Sequence, residues 1–278
     1  MRVDLHTHTT ASDGALAPCD LVEAAQAQGV TVLAVTDHDT LAGVQPAMAA
    51  ADGSTLRVLA GVEVSALHDG QSIHLLGYGF DPTSSLLITR LRALSQGREE
   101  RARTIVALLA EAGAPISWER VAAIGKDTIA RPHIARVLVE EGYARDIADA
   151  FAQFIGDGCP AYLPSGRMSV KDAVTLVRQA GGQVAVAHPL ARHPRLDLDL
   201  LLPDLLAAGV TGIEVYHSEH DGAATAYLRR LAAEHGLWWS GGSDFHGPTK
   251  PHVVLGGVEV PPEVLEQGPF RSPIAVLR

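Results

Sequence analysis

The chain of 278 residues has few cysteines, few aromatic residues and no long apolar run. The two cysteines, Cys19 and Cys159, are too few for a disulfide framework, and neither lies in a CxxC pair. No run approaches the roughly 18 apolar residues of a membrane span, and the first apolar run is too short for a signal peptide. We therefore expect a cytoplasmic protein with no membrane partner.

Basic residues are fewer than acidic ones: the chain has 22 Lys and Arg and 32 Asp and Glu, which gives a net charge of −10. Sequence-independent binding to long duplex nucleic acid needs a basic stripe, so this balance argues against that class of partner. It does not exclude a small phosphorylated substrate held by local positive charge. With 47% hydrophobic residues, the chain can bury the core of one catalytic domain.

The most informative feature that is present is a pair of histidines near the start of the chain. His6 and His8 follow the short apolar run Val3-Asp4-Leu5. Residues i and i+2 of a strand point to the same side, so both imidazoles can reach one metal ion. The pair therefore indicates one edge of a metal site.

Later segments repeat the same pattern, in which a short β-branched run ends in residues that commonly bind metals. Buried parallel strands have such runs, and the carboxyl ends of the strands of a βα barrel meet on one face. The pattern therefore predicts that these separate segments converge on one site. The residues concerned are His38, Glu63, His188, Asp244 and His246, and Asp13 lies in the loop after His8.

His74 differs because it lies near the start of its apolar run. Asp69-Gly70 is a turn signal, and a hairpin turning there would return His74 to the neighbourhood of Glu63. The two aspartates beside His38 are given structural roles. We expect Asp37 to orient a ligand and Asp39 to cap a helix that begins near residue 40.

Strand and helix patterns alternate along the chain except in one central stretch. This alternation predicts that the barrel consists of residues 1–83 and 166–278, and that its first two helices lie at about 18–28 and 40–51. Residues 84–165 have helical spacing and no convincing strand. We expect these residues to be a helical insertion that caps the active-site face.

The motifs together resemble those of the polymerase and histidinol phosphatase (PHP) family. The resemblance covers nearly the whole chain and implies a distorted (βα)7 TIM-like barrel that hydrolyses phosphoesters at a di- or trinuclear metal centre. The matching segments, in chain order, are Asp4 to His8, Ser12 to Gly14, Thr36 to Asp39, Gly61 to Glu63, His74, Ala187 to Pro189 and Gly242 to His246.

Nine residues then form the predicted metal-binding and catalytic set, with six imidazoles and three carboxylates. Mixed nitrogen and oxygen donors favour transition metals, so we expect two or three divalent ions, manganese first and iron or zinc as alternatives. A hydroxide bridging the metals would be the nucleophile. The nine residues are His6, His8, Asp13, His38, Glu63, His74, His188, Asp244 and His246.

The insertion contains the segment Arg131-Pro132-His133. Proline suits the first turn of a helix, and the free N–H groups there favour an anion that a guanidinium can bind bidentately. This segment is similar to the PHP branch that contains nucleoside 3′,5′-bisphosphate phosphatases and 5′–3′ exoribonucleases of short RNA. Lys126 and Arg192 are further candidates for phosphate contact.

The sequence is compatible with three functions. The first is a phosphoesterase acting on a nucleotide or the end of a short RNA, which the segment at Arg131 favours. The second is a phosphatase of a small metabolite such as histidinol phosphate, and the third is a non-catalytic PHP module. His217 ends a strand and so faces the site, but it matches no ligand position of the family, and its role is open.

Overall fold

The computed structural model describes residues 1–125, 129, 131–163, 166–191 and 196–271. The chain forms two compact units. One consists of Met1–Arg90 with Met168–Arg278, and the other of Leu91–Arg167. All strands found in the described chain belong to the first unit, and the described part of the second unit is helical.

The strands of the first unit form one sheet that is nearly closed. Seven of them follow the order β1-β2-β3-β4-β6-β7-β8, and the two-residue β5 pairs with β3 off this path. A bridge between Thr7 and Phe245 joins β1 to the segment after β8. The predicted distorted seven-stranded barrel is thus confirmed. The strands are β1 (Val3–Thr7), β2 (Val32–Val35), β3 (Arg57–His68), β4 (Gln71–Tyr78), β5 (Met168–Ser169), β6 (Gln183–Val186), β7 (Gly212–His217) and β8 (Trp238–Gly242).

One strand of the barrel path runs against its neighbours. β4 pairs antiparallel with both β3 and β6, whereas the other pairs along the path are parallel. The reversal occurs at Asp69 and Gly70, whose φ values of 46° and 79° suit a tight hairpin turn. The predicted hairpin is therefore confirmed, and it places Ser65 opposite His74.

In the first unit the helices alternate with the strands, and the described part of the second unit consists of helices and the segments that connect them. α1 begins at a proline, and α7, α8 and α9 each begin after a Ser or Asp whose side chain accepts a backbone N–H of the first turn. The helices are α1 (Pro18–Ala27), α2 (Val44–Ala50), α3 (Ser85–Glu111), α4 (Trp118–Gly125), α5 (Arg131–Glu140), α6 (Ile147–Ala150), α7 (Val170–Gln179), α8 (Leu198–Ala207) and α9 (Gly222–Glu234).

The second unit has its own apolar core, which includes Ile105, Leu109, Ile134, Leu138 and Ile155. A π-helical turn over 151–155 follows α6. No described helix combines the length and the apolar character that crossing a membrane requires. That residues 84–165 cap the active-site face stays a prediction.

A buried aspartate fastens the two ends of the barrel sheet. Asp4 accepts hydrogen bonds from Ser243 N (2.8 Å), Ser243 Oγ (2.6 Å) and Gly256 N (2.8 Å), while burial raises the pKa of its carboxyl. Gly242 lies against β1, where an added Cβ would collide with the backbone of His6. These contacts hold the segment carrying Asp244 beside the strand carrying the first histidines.

Candidate metal centre

The nine residues predicted from the sequence come together in the first unit, some within strands and the others in the segments that follow strands. His6 lies in β1, Glu63 in β3 and His74 in β4, and the others follow β1, β2, β6 and β8. His188 and Asp244 have left-handed φ values of 29° and 57°. Such backbone conformations are costly for non-glycine residues and are retained mainly at functional sites.

Glu63 lies at the middle of this centre and is fully buried. Its Oε1 is 2.6 Å from His74 Nδ1 and 2.9 Å from His188 Nε2. Its Oε2 is 3.1 Å from Nε2 of both His6 and His8. Both oxygens of one carboxylate are therefore surrounded by imidazole nitrogens.

The other two carboxylates extend the centre on either side of His8. Asp244 Oδ1 lies 3.2 Å from His8 Nε2 and 3.4 Å from His6 Nε2. Asp13 Oδ1 lies 3.3 Å from His246 Nε2 and 3.5 Å from His8 Nδ1. Each carboxylate thus approaches two imidazoles at distances that a shared metal ion would bridge.

The donor set fits transition-metal ions. Within the described chain, the buried Nε2 of His8 and Nδ1 of His38 make no hydrogen bond, although a buried polar atom without a partner is costly. A lone pair of an imidazole is a normal metal ligand, so bound ions would satisfy both nitrogens. Ligand atoms lie within 4.8 Å of one another in three overlapping groups, which are His8, Asp13, His38 and His246; His6, His8, Glu63 and Asp244; and His38, Glu63 and His74.

Opposite charges control the protonation of the centre. Burial lowers the pKa of His8, but the carboxylates of Asp244, Glu63 and Asp13 outweigh it and raise this pKa to about 10. Burial raises the pKa of Glu63, but the neighbouring imidazoles, led by His38, bring it well below its ordinary value. Without metal, a proton on His8 therefore balances part of the carboxylate charge. Metal binding must displace this proton.

Glu214 is a buried neighbour of the centre that the motifs did not reveal. Its buried carboxylate lies 2.9 Å from His6 Nδ1 through Oε1, and its Oε2 accepts the backbone N–H of His188 at 2.6 Å. A carboxylate in this position keeps the proton of a neutral His6 on Nδ1 and leaves Nε2 free to bind metal. The available signal was a charged residue within the apolar strand β7, because such residues are rarely buried without a partner.

His217 and Lys250 contact the other side of Asp244. Lys250 Nζ donates to Asp244 Oδ2 at 2.7 Å, and His217 Nε2 lies 3.6 Å from the same oxygen. The backbone N–H of Glu219 donates to His217 Nδ1, which places the proton of the neutral ring on Nε2. His217 is thus buried beside the centre, and Lys250 is a further neighbour that the sequence did not predict.

The aspartates beside His38 support loops. Asp37 accepts hydrogen bonds from Thr9 N (2.7 Å) and Oγ1 (2.8 Å) and from Ser12 Oγ (2.7 Å), so it holds the loop that carries the ligand candidate Asp13. The prediction that Asp39 caps a helix is wrong. Its φ is 51° and its carboxylate accepts the N–H of Ser65, while α2 begins later in the chain.

The predicted phosphate contacts lie in the insertion or outside the described residues. Arg131 begins α5, and its Nη1 donates to the carbonyl oxygen of Ile155 at 3.2 Å. His133 is the third residue of the same helix, and its Nδ1 would be 2.9 Å from a Cβ added at Gly125. Two other candidates, Lys126 and Arg192, fall outside the residues that the structure describes.

Comparison with known proteins decides the family. The family model described as PHP domain matches residues 4–158. The chain belongs to the PHP family. A 3′,5′-nucleoside bisphosphate phosphatase of Chromobacterium violaceum is 36% identical over 265 residues, which cover 94% of this chain and 93% of the relative. A 5′-3′ exoribonuclease of Haemophilus influenzae is 36% identical over 248 residues, with 89% and 90% covered.

A solved structure supports the same assignment. It comes from Bifidobacterium adolescentis and is described as a candidate metal-dependent phosphoesterase. Its TM-score is 0.82 at 34% identity, with 95% of this chain and 94% of that chain covered. The sequence-based prediction of a PHP-family hydrolase of phosphoesters is confirmed.

Proposed function

We propose that this PHP enzyme hydrolyses a phosphoester of a nucleoside 3′,5′-bisphosphate or of the 5′ end of a short RNA. The observation that carries the proposal is Glu63, whose two oxygens lie among the imidazoles of His6, His8, His74 and His188. Such a centre suits phosphoester hydrolysis, and the relatives named as a bisphosphate phosphatase and an exoribonuclease support the substrate class.

The metal ligands in this proposal are the nine residues predicted from the sequence. Two or three divalent transition ions bound there would activate water for attack on phosphorus and neutralise the phosphoryl oxygens. Manganese is our first choice, and iron or zinc would also suit mixed nitrogen and oxygen donors. Glu214 orients His6 for this role, and Lys250 holds the Asp244 oxygen that faces away from His6 and His8.

The substrate class depends on a second anion site. Metals bind the phosphate that is cleaved, so a second phosphate on the same nucleotide needs separate positive groups. We propose that Arg131 and His133 contact this phosphate, because a guanidinium binds phosphate bidentately. The metal centre could hydrolyse histidinol phosphate equally well, so its geometry does not distinguish a nucleotide substrate from this metabolite. The substrate comparison below distinguishes them.

The test compares adenosine 3′,5′-bisphosphate, adenosine 3′-monophosphate, a 5′-phosphorylated oligoribonucleotide and histidinol phosphate with the manganese-loaded enzyme. An empty charged clamp costs a few kcal/mol, so we expect kcat/KM for the bisphosphate to exceed that for the monophosphate by about a hundredfold. Equal values for these two, or faster turnover of histidinol phosphate than of either, would overturn the nucleotide assignment in favour of a metabolite phosphatase.

A further inference from the structure

The segment after β8 brings a lysine back to the metal centre. A 3₁₀ turn, Gly247–Thr249, follows His246, and the backbone N–H of Lys250 donates to the carbonyl oxygen of Gly247 at 3.0 Å. Gly247 has a φ of 78°, a left-handed conformation that glycine adopts readily. The chain therefore reverses here, and the side chain of Lys250 returns to Asp244.

Lys250 lies where the buried centre meets solvent. Its Nζ donates to Asp244 Oδ2 at 2.7 Å, and its side chain is 32% exposed, whereas that of Asp244 is 10% exposed. The other oxygen of Asp244 faces His6 and His8 inside the centre. Lys250 thus places a positive charge at the outer edge of a centre whose proposed ligands are imidazoles and carboxylates.

Asp244 does not depend on Lys250 alone for its orientation. The side chain of His217 is buried, and its Nε2 lies 3.6 Å from the same Oδ2 and makes no hydrogen bond within the described chain. Because Nδ1 accepts the backbone N–H of Glu219, the neutral ring carries its proton on Nε2. A small movement would let His217 donate to Asp244 Oδ2 when Lys250 also contacts another anion.

The ammonium group suits a phosphate. A lysine side chain has three N–H donors, and Asp244 accepts one of them. The carboxylates of the centre repel an approaching phosphate, and a nearby positive charge offsets this repulsion. Lysine binds phosphate as a compact point charge. Lys250 therefore has the charge, the exposure and the donors that such a contact requires.

We propose that Lys250 contacts a non-bridging oxygen of the phosphoester that the centre hydrolyses, while Asp244 holds the ammonium group in place. Lys250 is then a substrate-binding residue at the edge of the metal centre. The contact rests on phosphoester hydrolysis at the proposed centre, and it applies equally to a nucleotide and to a small metabolite. It involves the phosphate that is cleaved, so it is separate from the contact proposed for Arg131.

Binding of inorganic phosphate to the manganese-loaded full chain tests this contact, because phosphate resembles the group that is cleaved. In calorimetric titrations, Lys250→Met should weaken phosphate binding about tenfold or more, as for loss of a hydrogen bond between charged groups. Lys250→Arg keeps the charge and should lose less affinity than Lys250→Met. Lys171→Met is the matched control, because Lys171 is exposed on α7. Thermal melting of each variant verifies that it is folded.

Metal affinity separates this contact from a role confined to holding Asp244. In that case, Lys250→Met would weaken manganese binding in a chelator competition but leave phosphate affinity at saturating manganese unchanged, and this result would overturn the proposal. Equal losses of phosphate affinity in Lys250→Met and Lys250→Arg would also overturn it, since the charge would not be responsible. If Lys250→Met weakens phosphate binding but the unmodified enzyme hydrolyses histidinol phosphate and no nucleotide, the lysine contact stands and the nucleotide assignment fails.

Discussion

Replacing Glu214 by glutamine should weaken metal binding although Glu214 is not one of the nine proposed ligands. Its two oxygens accept from His6 Nδ1 and from the backbone N–H of His188. The amide of glutamine has one accepting oxygen, so it can satisfy only one of these donors. Either the ring of His6 loses its orientation or the N–H of His188 is left buried without a partner.

Loss of a carboxylate behind a metal-bound imidazole typically lowers metal affinity about 10- to 100-fold, which corresponds to about 1.4 to 2.8 kcal/mol. Competition titration with a chromophoric chelator would measure the affinity, and kcat at saturating metal would show whether activity is rescued. Glu219→Gln is the control, since Glu219 is exposed in the following loop. Unchanged metal affinity in Glu214→Gln would refute the role assigned to this carboxylate.

Three further predictions concern the centre and its support. His38→Ala should mainly lower kcat because a metal position loses a ligand, whereas Arg131→Ala should mainly raise KM; steady-state kinetics showing the reverse would contradict the assigned roles. Asp4→Ala should lower the free energy of unfolding by about 3 kcal/mol because the N–H and hydroxyl of Ser243 lose their acceptor, and a loss below about 1 kcal/mol in denaturant titrations would count against this. In metal-free protein, the raised pKa of His8 stabilises the fold fully below the ordinary pKa of 6.5, and this stabilisation is lost as the pH rises through about 10. The melting temperature of the metal-free protein should therefore fall from pH 7 to 10. A melting temperature that does not change over this range would contradict the prediction.

Most of the centre was predictable because its signals are local. A short apolar run followed by His, Asp or Glu occurs within a few residues, and parallel strands bring their carboxyl ends together. The position of His74 also followed from a local signal, the turn at Asp69-Gly70. This turn makes β4 antiparallel and places His74 2.6 Å from Glu63.

The contacts that were missed join distant segments of the chain. Glu214 meets His6 across 208 positions, and Asp4 meets Ser243 across 239. Neither distance can be read from a local pattern. Asp39 was misassigned for a related reason, because its carboxylate bonds to the distant Ser65 in place of the helix that follows it.

Metal analysis combined with chelation tests the central claim most directly. We predict two or three transition-metal ions per chain by elemental analysis, and loss of both phosphoesterase activity and thermal stability when a strong chelator removes them. Adding manganese should restore both. Full activity in protein with no residual metal would contradict the assignment of the histidines and carboxylates around Glu63 as a metal centre.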